Sequence, residues 1–261
     1  RRLADLRPTI LIAGNHDATL TNKSRMDSLS PIVNAINHKN LFYLKDTGIY
    51  ILGDIVFNHM SVFDPVESYI RATDIPKIYT NQARHVIALY HGAVHDAVSD
   101  VGYRINNQSV TANLFDGHDI VLLGDIHKYQ TLEIPDSDTK IVYVGSLIQQ
   151  NHGESLDSHG YVLWNLKQRI HKQFDIGNER GFYTIDIDKG HLKTDLSNLP
   201  KKVKLRVRCN DSDYLEIKAV IDEIRKRCEV EHLVYLKSAS GTTPNSAAVS
   251  VEELSLADLN S

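Results

Sequence analysis

Residues Thr9–Asp17 have the sequence TILIAGNHD, and this stretch decides the fold prediction. Its first five residues are apolar or β-branched and run into Gly14, a pattern typical of a buried strand that ends in a tight turn. The turn presents the side chains of Asn15, His16 and Asp17 at the carboxyl end of the strand. An amide, an imidazole and a carboxylate are groups that hydrolytic sites for divalent metals use, so the sequence predicts part of such a site here.

Two later segments repeat this pattern. Residues 86–90 (VIALY) run into His91, and residues 119–123 (DIVLL) run into a GDIH segment that holds Asp125 and His127. Ligands of an α/β sheet gather outside the carboxyl ends of its strands, so we expect these side chains to join the first turn at one edge of a sheet. In an extended stretch, Asp125 and His127 would point to the same side.

The composition is that of a globular chain. The 261 residues are 42% hydrophobic and 24% charged, enough for one large or two unequal domains. The net charge of −4 argues against a uniformly basic nucleic-acid binder, although local contacts with DNA remain compatible with it. Cys209 and Cys228 have neither disulfide nor zinc spacing and indicate a reducing compartment. No stretch approaches a membrane span, so we expect an intracellular protein, in the cytoplasm, nucleoid or nucleus.

The motifs GNHD, HG and GDIH, in this order, resemble the later motifs of the calcineurin-like metallophosphoesterases. Residues 143–154 (YVGSLIQQNHGE) narrow the resemblance to the DNA-repair nuclease branch, which comprises the SbcD-type subunit of SbcCD and its viral and phage recombination-endonuclease relatives. The similarity covers residues 9–174 well and the chain to about residue 237 loosely. Because viral and phage proteins belong to this branch, the resemblance is compatible with a viral or phage origin of the chain.

The resemblance implies a dinuclear metal centre with two divalent ions, Mn²⁺ in the first place and Mg²⁺ as the alternative. Asn15, His91 and Asp125 would ligate one ion, and His127 would ligate the other. The family more commonly has His at the position of Asp125. An aspartate is a harder ligand, so this change favours Mn²⁺ or Mg²⁺ and adds one negative charge to the site.

The resemblance also implies roles for residues that do not bind metal. His16 would stabilise the transition state or protonate the leaving oxygen, and Asp17 would hold its ring. His152 either contacts the metals or the scissile phosphate, or it only fills its loop. The side chain of Lys128 either contacts a phosphate or is solvated.

The implied fold is α/β, a metallophosphoesterase β-sandwich flanked by helices in four α/β/β/α layers, incomplete at the N-terminus, with a small C-terminal α/β capping domain. We assign residues 1–178 to the nuclease domain and 179–237 to the capping domain, in which residues 203–236 predict a β-α-β unit. Residues 238–261 have the composition of a flexible linker that leads into a partner-binding segment.

The family's opening Asp-x-His and Gly-Asp motifs do not precede Gly14, and the chain starts without Met. We therefore expect a fragment whose first strands lie upstream and which is inactive alone. Gly53-Asp54 comes after the GNHD motif and predicts a hairpin turn rather than a metal motif. His95 and His118 are interpreted as imidazoles of surface loops.

Alternating cations mark the strand after Pro200, and they either touch a duplex backbone or form a solvated face. They are Lys202, Lys204, Arg206 and Arg208.

These features together predict metal-dependent hydrolysis of DNA phosphodiesters, by the exo/endonuclease subunit of a recombination or double-strand-break repair complex. The implied partners are DNA, an SbcC-type SMC-like ABC ATPase subunit and a second copy of the chain, with no membrane. Two alternatives stay open. One is a calcineurin-like phosphoesterase that acts on phosphoproteins or small nucleotides, and the other is a non-catalytic relative that serves as a scaffold.

Overall fold

The structure is a computed structural model of the chain, and it describes residues 1–20, 26–210 and 214–237. In these ranges no helix is both long and apolar enough to cross a membrane. The helices are α1 (Arg2–Leu6), α2 (Leu29–Ile36), α3 (Lys77–Thr80) and α4 (Tyr214–Arg225). The strands are β1 (Thr9–Ile12), β2 (Leu41–Leu44), β3 (Gly48–Leu52), β4 (Ile55–Met60), β5 (His85–His91), β6 (Ile120–Gly124), β7 (Gln130–Leu132), β8 (Lys140–Tyr143), β9 (Gly160–Asn165), β10 (Ile170–Asp175), β11 (Arg180–Asp188), β12 (His191–Leu192), β13 (Lys202–Asn210) and β14 (Glu229–Lys237).

The described strands form four sheets. The largest has the order β3-β4-β5-β6-β8-β7, in which β4, β5, β6 and β8 are parallel and the two edge strands are antiparallel to their neighbours. The strands β1 and β2 form a parallel pair, and β9 and β10 form a hairpin. The fourth sheet has the order β12-β11-β13-β14. The fold is therefore mixed α/β with several sheets and few helices.

Two compact units divide the chain. Among the described residues, the first comprises Arg1–Leu147 and Ser158–Asp175, and the second comprises Ile148–Asp157 and Ile176–Lys237. The sequence placed the boundary three residues later and kept the loop 148–157 in the first domain. This loop belongs to the second unit because the Gln149 side chain accepts from the backbone N–H of Phe182 at 2.7 Å and donates to its carbonyl at 3.0 Å.

The central strands of the first unit are buried on both faces, which explains their continuous apolar sequences. On one face, Ile10 of β1 and Trp164 of β9 pack in a cluster with Leu89 of β5. On the other face, Tyr90 of β5 packs in a cluster with Phe115, which lies in a 3₁₀ turn. One face is thus covered by strands and the other by loops and short turns.

The second unit contains the predicted β-α-β arrangement. The strands β13 and β14 run parallel and are joined through α4. Val203, Leu205 and Val207 of β13 are fully buried and pack in one core with Ile221 and Ile224 of α4. The alternation of apolar and charged residues in β13 therefore gives the strand one buried and one outward face.

Two sequence interpretations of loop residues have different outcomes. Gly53 has a φ of +64° between β3 and β4, so the predicted hairpin turn is confirmed. The interpretation of His118 as a surface imidazole is wrong, because the residue is only 2% exposed. Its Nδ1 lies 2.8 Å from the carbonyl oxygen of Phe115, and its Nε2 lies 2.9 Å from the Asn58 amide nitrogen. Burial lowers the pKa of His118, which keeps the ring neutral in this environment.

Candidate metal centre

The turn after β1 is closed by Asp17. The backbone N–H of Gly14 donates to Oδ2 of Asp17 at 2.8 Å, and the hydroxyl of Ser28 donates to Oδ1 at 3.1 Å. The backbone N–H of Asp17 donates to the carbonyl of Gly14 at 3.1 Å. Both carboxylate oxygens therefore hold the turn that carries Asn15 and His16. A role of Asp17 in holding the ring of His16 stays a prediction.

The imidazole of His91 lies between Gly14, which follows β1, and Gly124, which ends β6. A β-carbon on Gly14 would lie 2.8 Å from Nε2 of His91, and one on Gly124 would lie 2.8 Å from Nδ1. Only glycine allows the backbone to approach the ring this closely. The ends of β1, β5 and β6 thus meet around one histidine.

Asp125 lies next to His91. Its Oδ1 accepts a hydrogen bond of 3.0 Å from the side-chain amide of Asn15 and lies 3.7 Å from Nε2 of His91. Asn15, His91 and Asp125 come from three separate segments, as the sequence predicted. The His91 and Asp125 side chains are 25% and 21% exposed, so the cluster is sheltered but open to solvent.

The backbone of Asp125 is in the left-handed region, with a φ of +92°. The strand β6 ends at Gly124, so Asp125 and His127 do not continue it. The expectation that they point to one side of an extended stretch is therefore wrong. A residue with a β-carbon rarely adopts this conformation, and such strain is concentrated at functional sites.

Burial favours the neutral form of His91. Burial lowers its pKa most, and possible charges on His16 and His127 lower it further, while Asp125 and Asp17 act in the opposite direction. A neutral imidazole has a lone pair to offer to a metal ion. His16 and His127 are therefore near enough to influence the charge of this ring.

His16, His127 and Lys128 are exposed. The carbonyl of His127 accepts from the backbone N–H of Ser146 at 2.9 Å, which fixes the segment after Asp125. In the described part of the chain, no three His, Cys, Asp or Glu side chains are arranged to hold a metal ion. The donors that meet are one amide, one imidazole and one carboxylate, and His127 does not complete a second set with them.

His152 belongs to the second unit. Its ring contacts Phe182 edge-on, with the centroids 5.1 Å apart, and its Nδ1 lies 3.3 Å from the hydroxyl of Thr184. Its predicted contact with metals or phosphate stays a prediction, as does the phosphate contact of Lys128.

Tyr143 holds the backbone next to the site, and this role was not identified from the sequence. Its hydroxyl donates to the carbonyl of Gly92 at 2.7 Å and accepts from the backbone N–H of Val94 at 2.9 Å. Burial raises the pKa of this phenol, so it remains a donor. It therefore fixes the loop that follows His91. In the sequence, a tyrosine at the end of an apolar strand has the pattern of an ordinary core residue. No feature of the sequence therefore indicated its hydrogen bonds.

Comparison with known proteins finds a viral relative. No protein-family profile matches the chain. The chain is similar to uncharacterized protein R555 of Acanthamoeba polyphaga mimivirus, with 38% identity over 239 residues that cover 90% of this chain. These residues span only 17% of the viral protein. Its name states no activity, so a functional conclusion depends on the residues of the site.

Proposed function

We propose that the chain contributes to a metal-dependent nuclease that hydrolyses DNA phosphodiesters. The observation that supports this best is the convergence of Asn15, His91 and Asp125, with Asp125 Oδ1 3.0 Å from the Asn15 amide and 3.7 Å from His91 Nε2. The three residues lie at the carboxyl ends of three different strands, in the order and motifs that resemble the metallophosphoesterases. The four-layer sandwich, the capping domain and the repair-complex partners are part of the same proposal.

The donor set fits one divalent cation. Amide, imidazole and carboxylate together suit a metal of intermediate hardness such as Mn²⁺. Ligand atoms ~2.1 Å from an octahedral ion lie ~3 Å from their neighbours. Nε2 of His91 and Oδ1 of Asp125 are 3.7 Å apart and would have to move closer to bind one ion. To act as a ligand, Asn15 would have to turn its amide so that its oxygen faces the ion. His127 would belong to the second ion that the resemblance implies.

Bound divalent ions would supply an activated water molecule and neutralise charge on the phosphate. The chain's own residues provide the other functions. His16 is exposed beside Asn15, where its imidazole can donate a proton to the departing oxygen. Asp17 holds the turn that carries both residues. Lys128, exposed next to His127, adds positive charge for the phosphate.

The first experiment measures metal binding by the chain itself. We expect calorimetric titration with Mn²⁺ to show binding that Asn15→Ala, His91→Ala and Asp125→Ala each abolish. His191→Ala, at an exposed histidine of β12, is the control and should bind as the unmodified chain does. Absence of Mn²⁺ binding to the folded chain would contradict the metal centre and favour the scaffold alternative.

The second experiment measures the reaction. The full-length gene product that carries this chain should nick plasmid DNA in Mn²⁺ and turn over p-nitrophenyl phosphate poorly. The opposite preference would favour a phosphoesterase for phosphoproteins or small nucleotides.

A further inference from the structure

The outward face of β13 carries four cations, and the outer two are neutralised. The ammonium of Lys202 lies 2.8 Å from a carboxylate oxygen of Glu229. The guanidinium of Arg208 lies 2.7 Å from a carboxylate oxygen of Asp186. These two ion pairs occupy the two ends of the strand's outward row.

The middle two cations have a different environment. In the described part of the chain, neither Lys204 nor Arg206 is paired with a carboxylate. The ammonium of Lys204 lies 4.8 Å from the centre of the Phe182 ring. In the strand register, Lys204 is opposite His232, and Arg206 is opposite Thr184. Two cations and two hydrogen-bonding groups therefore lie side by side on adjacent strands.

The loop of His152 adds to this patch within the same unit. His152 Nδ1 lies 3.3 Å from the Thr184 hydroxyl. Burial lowers the pKa of His152 to about 4, and the charges of Arg206, His232 and Lys204 contribute to this. At neutral pH the ring is therefore uncharged, and Lys204 and Arg206 place positive charge near it. Positive charge attracts an anion.

We propose that His152, Thr184, Lys204, Arg206 and His232 form a phosphate-binding site on the outward face of this sheet. Arginine and lysine provide charge-assisted hydrogen bonds to phosphate oxygens, and a hydroxyl and neutral imidazole can add further ones. The phosphate belongs either to a nucleic-acid backbone or to a free phosphate ester. The site needs no metal ion, so it can be tested independently of the nuclease proposal.

The test compares two double variants of the full chain in the presence of EDTA. Lys204→Gln with Arg206→Gln removes the middle cations, and Lys202→Gln with Arg208→Gln removes the paired ones, with the same change of net charge. The probe is a fluorescein-labelled thymidine oligonucleotide, followed by anisotropy over a range of salt concentrations. We expect the first variant to bind at least about tenfold more weakly and its salt slope to fall by about 1.5, because two phosphate contacts are lost. The second variant should change affinity less than about threefold.

Competition identifies the source of the phosphate. If the oligonucleotide binds and millimolar inorganic phosphate or thymidine monophosphate does not displace it, the ligand is the polymer backbone. If phosphate or the mononucleotide itself binds, with the same dependence on Lys204 and Arg206, the ligand is a free phosphate ester. An equal loss of affinity in both double variants would show that binding depends only on net charge, and it would overturn the proposal. Binding of none of these probes, with unchanged circular dichroism, would also overturn it.

Discussion

The Oδ2 atom of Asp119 accepts a hydrogen bond of 2.8 Å from the backbone N–H of Val86, and this bond ties the starts of β5 and β6 together. The Oδ1 atom of Asp119 lies 2.6 Å from Nη2 of Arg169, in the turn of the β9–β10 hairpin. At their other ends, β5 and β6 place His91 opposite Gly124. One carboxylate therefore aligns the two strands that deliver two of the candidate metal ligands.

Replacing Asp119 with Ala should destabilise the first unit. The substitution leaves the Val86 N–H without its acceptor and Arg169 without its partner, and we expect a loss of about 1–3 kcal/mol in the free energy of unfolding. Urea denaturation followed by circular dichroism measures this. The control is Asp54→Ala, which breaks the exposed ion pair with Arg84 and should cost less than about 1 kcal/mol. Equal losses in the two variants would show that Asp119 does not align the strands.

The close contact of Gly14 with His91 predicts a selective effect on metal binding. In Gly14→Ala, the added β-carbon meets Nε2 of His91 at 2.8 Å and displaces the ring. Because the ring would no longer be held in place, we expect Mn²⁺ affinity to fall roughly tenfold to a hundredfold. Calorimetric titration measures the affinity, and thermal denaturation verifies folding.

Gly177→Ala is the matched control for this substitution. A β-carbon at Gly177 meets no atom within 4 Å. This variant should bind Mn²⁺ as the unmodified chain does. Unchanged affinity in Gly14→Ala would place the metal away from His91.

His16 is expected to act in the reaction rather than in metal binding. His16→Ala in the full-length gene product should reduce plasmid nicking by at least about a hundredfold, because the proton donor to the leaving oxygen is lost. Its Mn²⁺ content, measured by elemental mass spectrometry, should not change. A variant that cleaves DNA at the full rate would contradict this role.

The sequence predicted the strands around the site because their patterns are local. Continuous apolar runs located β5 and β6, and the alternation in residues 203–208 located β13. The convergence of Asn15, His91 and Asp125 was also predictable, because parallel strands bring their carboxyl ends to one edge.

Features that depend on tertiary contacts were not predictable. Nothing local to Asp125 indicates a positive φ, and its contacts with Asn15 and His91 come from distant segments. His118 is buried and contacts Asn58, which lies 60 positions away in the chain, so its environment depends on the fold. The assignment of residues 148–157 to the second unit likewise depends on contacts between Gln149 and a distant strand.

Asp27 is a buried carboxylate that organises the segment after the GNHD turn. It is 3% exposed, and its oxygens accept from the backbone N–H groups of Leu29 and Ser30 at the start of α2. The hydroxyls of Ser30 and Tyr43 and the ammonium of Lys45 also donate to it. Burial alone would raise the pKa of Asp27, but these hydrogen bonds together hold it well below its usual range.

Asp27→Asn should therefore destabilise the chain in a pH-dependent way. A carboxyl whose pKa is lower in the folded state stabilises that state above its unfolded pKa of about 4, and the contribution is lost as the pH falls further. We expect the variant to lose about 2–3 kcal/mol at pH 7, because several bonds to a charged acceptor are weakened. The difference in the free energy of unfolding between the unmodified chain and the variant should shrink as the pH falls from 4 to 2.5. Urea denaturation at both ends of this range measures it, with Asp46→Asn, at an exposed carboxylate, as the control. A difference that does not change with pH would mean that the charge of Asp27 does not stabilise the fold.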